Sequence, residues 1–220
     1  MKHIALILMS FIVGGFVLDA GEPGKWNPLL KKNSLEGWTY DVLDDSPPGE
    51  IYSIDKGVLK VRGQGKSNAV IRTLKEYSNF ELKWEWRWPG KPGNSGCLIY
   101  CSTPRERNIW PKSLEIQMAS GNAGDFIYIG ETIDVTDAQA LKDLPADSWK
   151  HRLRVNLTDD SEKSPGEWNK GHIIVKDGTV KVYINGDLVN KGWNASAVKG
   201  AICFQAEKAD IDYRNIRIRE

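Results

Sequence analysis

Histidine and cysteine are scarce in this chain of 220 residues, with three of each. His3 lies at the extreme N-terminus, which leaves His151 and His172 for any chemistry in the body of the chain. There is no His-x-His pair and no carboxylate cluster at metal-binding spacing, so no cofactor is evident. A divalent cation held by backbone carbonyls would leave no sequence trace. The cysteines are Cys97, Cys101 and Cys203. An odd number in an exported protein leaves at least one thiol or an intermolecular bond. Cys97 and Cys101 fall on one face of one strand, about 13 Å apart at ~3.3 Å per residue, too far to pair. Either could pair with Cys203, or all three could be buried thiols.

Charge of one sign is also lacking. Lysine and arginine total 30 against 29 aspartate and glutamate, a net charge of +1. That excludes the basic field of a nucleic-acid binder and a polybasic membrane patch. Long apolar runs are missing except at the start. There, Lys2 and His3 precede an apolar run from Ile4 to Leu18, and Ala20-Gly21 offers a small-residue cleavage point. This is the layout of a secretory signal peptide over residues 1–20, with an uncleaved anchor as the alternative. The run, about 15 residues, is short for a membrane span. The expectation is a secreted or periplasmic protein with no stable membrane insertion after cleavage.

What is present is alternation. In "NFELKWEWRW", Phe80, Leu82, Trp84, Trp86 and Trp88 share one face, and Glu81, Lys83, Glu85 and Arg87 the other. Period two predicts further strands over 57–62, 69–73, 96–101, 113–119, 151–157, 172–176, 179–184, 201–205 and 211–217. "KDGT" and "INGD" are hairpin turns of the Asp-Gly and Asn-Gly kind. Only "DAQALKDL", 137–144, hints at a helix. Many strands with a wet face each and almost no helix predict an all-β antiparallel sandwich, one domain from about residue 24 to residue 220.

Three long loops, 89–94, 102–112 and 158–166, are where function concentrates. Beside them, "WPKSLEIQ" sets Glu115 and Gln117 on the polar face of a strand, just after Trp110 and Lys112. A glutamate on the floor of a cleft can move protons or hydrogen-bond sugar hydroxyls; the plain alternative is the wet side of a sheet. "GNSG" offers Asn94 and Ser95 on a glycine-flanked turn. Trp110 reads as a sugar platform or as a lid folded on the core. Arg87 and Lys112 are cations for the same floor, and the polar face of 81–87 is expected to continue that of 115–117 in one curved sheet. Ordinary retaining glycoside hydrolysis needs two carboxyl groups about 5 Å apart. The Glu115–Gln117 motif supplies one.

In order along the chain, "GWTY", "GVLKVRG", "NFELKWEWRW", "GNSGCLIY", "WPKSLEIQ", "GNAGDFIYIG", "PGEWNKGHIIVKDGTVKVYINGDLVNKG" and "DIDYRNIRIR" resemble the 3-keto-disaccharide hydrolase domain family, long called domain of unknown function 1080. The resemblance implies a concanavalin A-like jelly roll of two curved antiparallel sheets, in exported bacterial proteins. It implies a small oxidised saccharide as partner, a glycoside whose glucose ring carries a ketone at carbon 3. The ketone makes the hydrogen on carbon 2 acidic. A base removes it, the enolate expels the substituent on carbon 1, and water adds later. One base, a proton donor and an enolate stabiliser suffice. The matching positions are Asn94, Ser95, Glu115 and Gln117, with Trp110 and Lys112 upstream, Arg87 as a cation for the enolate, and His172 last. A non-catalytic carbohydrate-binding module on the same fold is the alternative, and a conventional glycosidase ranks below both.

Overall fold

The computed structural model describes residues 24–44, 46–158 and 161–220; the expected signal peptide lies outside them. Fifteen strands run β1 (Asn27–Pro28), β2 (Trp38–Val42), β3 (Tyr52–Asp55), β4 (Val58–Arg62), β5 (Ala69–Thr73), β6 (Phe80–Arg87), β7 (Gly96–Cys101) and β8 (Ser113–Gln117). They continue as β9 (Phe126–Ile129), β10 (Leu153–Arg154), β11 (Asn169–Lys176), β12 (Thr179–Ile184), β13 (Asp187–Gly192), β14 (Ala201–Ala206) and β15 (Asp210–Arg219). They build two antiparallel sheets. Sheet one has the order β13-β12-β11-β6-β15-β4-β3, with β1 also pairing β15; sheet two has the order β10-β9-β8-β7-β14-β5-β2. Among the described residues helix is confined to 3-10 turns, one of which, Asp137–Gln139, is all that forms where a short helix was expected.

The core lies between the sheets. β6 sends Phe80, Leu82, Trp84 and Trp86 inward, and Leu114, Ile116, Phe126 and Phe204 meet them from sheet two. Trp84 packs edge-on against Phe204 at 6.2 Å between centroids. Room for that indole depends on Gly171 across the strand pair, where an added Cβ would sit 2.2 Å from the Trp84 ring.

The expected strand 151–157 is mostly not a strand: Trp149–Arg152 forms a 3-10 turn, and only Leu153–Arg154 pairs, with β9. His151 is therefore exposed on a turn, its Nε2 2.7 Å from the Pro145 carbonyl. The alternation failed there because Ser148 caps the turn through the Lys150 N–H, a local bond that competes with pairing. The three cysteines are free and buried.

One expectation about the sheets is overturned. β6 belongs to sheet one and β8 to sheet two, so the polar faces of 81–87 and 115–117 look outward on opposite sides of the sandwich. Alternation assigns a strand two faces; it does not say which sheet the strand joins.

Candidate functional site

The outer face of sheet two is assembled from its cross-strand register. One row runs Thr39, Arg72, Cys203, Leu98, Glu115, Ile127. Beside it run Asp41, Val70 and Gln205 from one side and Gln117 opposite Gly96 from the other. Half of this face is closed. The 102–112 loop folds down so that Ile109 and Trp110 pack on Val70, Leu98, Cys101, Ile129, Ala201 and Cys203 in a second, smaller hydrophobic cluster. The loop is fastened by Arg105 to Asp41 at 2.7 Å and by Lys112 to Glu131 at 3.2 Å. Trp110 is thus a lid, 9% exposed, and not an open sugar platform. Lys112 is spent on Glu131. Between the lid and β2 remains a hollow of about 170 Å³ lined by Asp41, Val70, Arg72, Ile109 and Pro111.

At the other end of the face two short sequences mirror each other. β8 carries Glu115-Ile116-Gln117, and β14 runs into Gln205-Ala206-Glu207, with β7 between them. β7 contributes Gly96 there. A Cβ on Gly96 would lie 2.4 Å from Oε1 of Glu115 and 2.6 Å from Oε1 of Gln205, so both side chains reach across the bare glycine toward each other. A β-bulge at Tyr100 (φ 59°), with the register shift between Ala201 and Cys203, turns Tyr100 into the core and returns Cys101 to the outer face.

The electrostatics of this cluster are unusual. Glu115 is 5% exposed. Burial, with the Glu207 charge adding to it and Gln205 opposing it, pushes the Glu115 carboxyl up to about 8. Burial raises Glu207 as well, against a hydrogen bond from Asn94 and the nearby Lys208. A bridge between Asn94 and Glu207 fixes that pair. The Gln205 amide is 1% exposed, and neither its nitrogen nor its oxygen makes a hydrogen bond of good geometry; the Asn94 Oδ1 is likewise buried and unpaired. Buried amide groups left so cost about 1–3 kcal/mol each unless a partner arrives. A ligand's hydroxyls would be such partners. The arrangement therefore offers a carboxyl kept protonated near neutral pH, a second carboxyl beside it, and two amides with free valence. Among the described residues no three His, Cys, Asp or Glu side chains are grouped to hold a metal ion.

The other sequence-derived site residues fall as follows. Gln117 faces outward, but its Oε1 accepts from the Met118 and Ala119 N–H groups at 2.9 and 3.0 Å, which ends the strand. Ser95 is a correction: it is fully buried, donating to the Gln205 carbonyl at 2.8 Å and lying 2.7 Å from the Tyr213 hydroxyl between the sheets. Arg87 is another, standing on sheet one and paired with Asp212 at 3.0 Å. His172 is a third, also on sheet one, 3.0 Å from Glu81 and stacked on Tyr183. Glu207 and Gln205 went unnoticed. The signal was available, since period two carries the outward face from Cys203 through Gln205 to Glu207, two residues past the expected end of the strand.

Fold and face together define a lectin-like β-sandwich with a carboxyl-bearing cluster on one sheet. Residues 25–219 match the model of the 3-keto-alpha-glucoside-1,2-lyase-like domain, and the chain belongs to that family. It is similar to a candidate glycosyl hydrolase from Parabacteroides distasonis ATCC 8503 at 26% identity, with 89% of this chain and 99% of that one aligned and a TM-score of 0.60. A second candidate glycosyl hydrolase from the same organism gives 21% identity, 88% and 93% coverage, and a TM-score of 0.62. The carbohydrate-binding module CBM66 of Bacillus subtilis shares the fold at 9% identity, 84% and 96% coverage, and a TM-score of 0.56. No curated protein sequence matches the chain.

Proposed function

We propose that this chain is an exported enzyme that breaks the glycosidic bond of a 3-keto-glycoside by elimination. Family membership supports the substrate class, and the 26% identical candidate glycosyl hydrolase supports action on a glycoside. The observation that carries the reading is the unequal carboxyl pair: Glu115 buried and held protonated, Glu207 half-buried and hydrogen-bonded by Asn94. Burial raises both, but the Asn94 hydrogen bond and the Lys208 charge favour the ionised form of Glu207, whereas the Glu207 charge disfavours ionisation of Glu115, which suits the pair to act as base and acid.

In this reading the ionised Glu207 takes the proton from carbon 2. The electrons pass into the carbon 3 carbonyl, and the resulting enolate expels the oxygen on carbon 1, leaving a carbon 1–carbon 2 double bond. Glu115, as the neutral acid, donates to the oxygen that gains charge. Gln205 and Asn94 supply hydrogen bonds to ring hydroxyls. Net hydrolysis needs only the later addition of water across the new double bond. Sequence alone left the identity of the base open, with Glu115 among the candidates; a carboxyl protonated up to about pH 8 is better suited to acid work.

The same pair gives an ordinary glycosidase its second carboxyl, so one experiment separates the readings. The purified protein is incubated with a 3-keto-glucoside and with its unoxidised parent. Turnover of the ketone alone supports elimination. Equal turnover of both means an ordinary glycosidase, and binding of both without turnover means a carbohydrate-binding module.

A further inference from the structure

Sheet one has an outward face that the proposed reaction does not use. Its charges follow a rule that fails at one row. Along β6 the outward residues are Glu81, Lys83, Glu85 and Arg87. Across the strands, Glu85 lies between Arg214 and Lys170, a carboxylate flanked by two cations. Glu81 is matched with Arg219 across the strand pair and with His172 at 3.0 Å on the diagonal. Arg87 is opposite Asp212. Lys83 breaks the pattern. Its cross-strand neighbours are Arg217 on one side and His172 on the other, and Tyr183 continues the row. Like charges directly opposite in a sheet are destabilising.

The nearby carboxylates cannot relieve this. Glu85 is held by Arg214 at 2.7 Å and Asn215 at 3.0 Å, and Glu81 by Arg219 and His172. Lys83 and Arg217 instead stand over the Trp26 ring, at 4.7 and 5.4 Å from its centroid. Tyr183 stacks on His172 with centroids 5.6 Å apart and planes 28° apart. A β-bulge at Asn215 (φ 53°), with the register shift between Arg214 and Arg217, turns Arg214 and Asn215 to the same outer face, where both bond Glu85. The result is a hollow of about 380 Å³ lined by Lys83, Lys170, His172, Tyr183, Asn215 and Arg217, with Glu85, neutralised by Arg214, as the one carboxylate in its wall. That volume is in the range of small-molecule sites and is too large for a bare anion.

We propose that this hollow is a second binding site, taking an acidic sugar residue of an oligosaccharide. Its carboxylate sits between Lys83 and Arg217, where it relieves the like-charge pair. Its ring lies against Tyr183, and its hydroxyls reach Asn215 and Lys170. Charge-assisted hydrogen bonds of this kind favour a carboxylate strongly over a neutral hydroxyl. The site is on the opposite face of the sandwich from Glu115, so one chain could hold an acidic glycan on one face and work on a glycoside at the other.

The test is calorimetric titration with trigalacturonate, with cellotriose as the neutral counterpart and sodium sulfate as the bare anion. The wild-type protein should bind trigalacturonate at least about tenfold more tightly than cellotriose, and the preference should shrink as salt rises. Lys83→Gln with Arg217→Gln should abolish the preference while turnover at the other face and the melting temperature hold or rise. Equal affinity for trigalacturonate and cellotriose, sulfate competing as strongly as the sugar binds, or an unchanged preference in the double variant would each overturn the proposal. A double variant that loses stability would overturn the claim that these cations are placed for a ligand.

Discussion

Replacing Glu115 by glutamine should make the protein more stable, and increasingly so as pH rises. Burial pushes the folded-state carboxyl up to about 8 from its ordinary 4.5. Between those values the unfolded chain releases a proton that the folded chain keeps. The wild type therefore loses stability as pH climbs through this window, with the sign opposite to that of a salt-bridged acid. From the two values, the loss is roughly 1 kcal/mol at pH 5 and roughly 3 kcal/mol at pH 7. Glutamine has the same shape and no proton to lose. The stability difference between variant and wild type should grow by about 2–3 kcal/mol from pH 5 to pH 7, or roughly 5–10 °C in melting temperature for a domain this size. Urea unfolding of both proteins at pH 5, 6, 7 and 8 measures it. Parallel pH profiles would show that Glu115 is ionised in the folded state, and its assignment as the acid would fall. The same substitution should slow turnover by about 10²–10⁴-fold, and the decline of wild-type kcat/KM above pH 8 should vanish in the variant.

Glu207→Gln should reduce turnover of a 3-keto-glucoside by about 10²–10⁴-fold while changing binding by tenfold or less, about 1.4 kcal/mol; an unaffected rate moves the base elsewhere. Gly96→Ala should place a methyl 2.4 Å from the Glu115 carboxyl, costing about 1–3 kcal/mol of stability and most of the activity, read by thermal melting and initial rates on one sample. Ser95→Ala should cost about 1–2 kcal/mol with little change in KM, because its hydroxyl serves the Gln205 carbonyl and Tyr213 and not a ligand. Arg87→Ala and His172→Ala should leave kcat within about twofold, since both lie on the sheet away from the carboxyl pair, a difference well under 1.4 kcal/mol.

The sequence revealed strands more readily than partners. β5, β7 and β12 form over the residues expected from alternation, because each side chain's burial is a local consequence of the pleat. β3, "YSID", alternates over only four residues, and β9, "FIYI", is short and apolar throughout, so neither was read as a strand. The failure at Arg87 was of another kind. Its outward orientation was legible, but its sheet was set by pairing with β15 and β11, whose residues are far away in the chain. Trp110 illustrates the same limit: whether a loop tryptophan faces water or Leu98 and Cys203 depends on a fastening, Arg105 to Asp41, that no local pattern encodes. Glu115 stood out because it followed a loop. Glu207 did not, because Glu115, the carboxyl its charge acts on, is 92 positions earlier (207 − 115 = 92).

The two last strands are at the middle of both sheets: β14 between β7 and β5, β15 between β6 and β4. Until residues 201–219 exist, each sheet is two separate fragments, and the exposed borders of β4, β5, β6 and β7 are unsatisfied. The nascent chain thus cannot complete any layer during synthesis. It must pass through a stage with four open edges, the condition under which strands pair with the wrong neighbour. Truncation before β15 should yield aggregate, not a smaller folded protein. The carboxyl pair inherits this dependence, since Glu207 stands between β14 and β15.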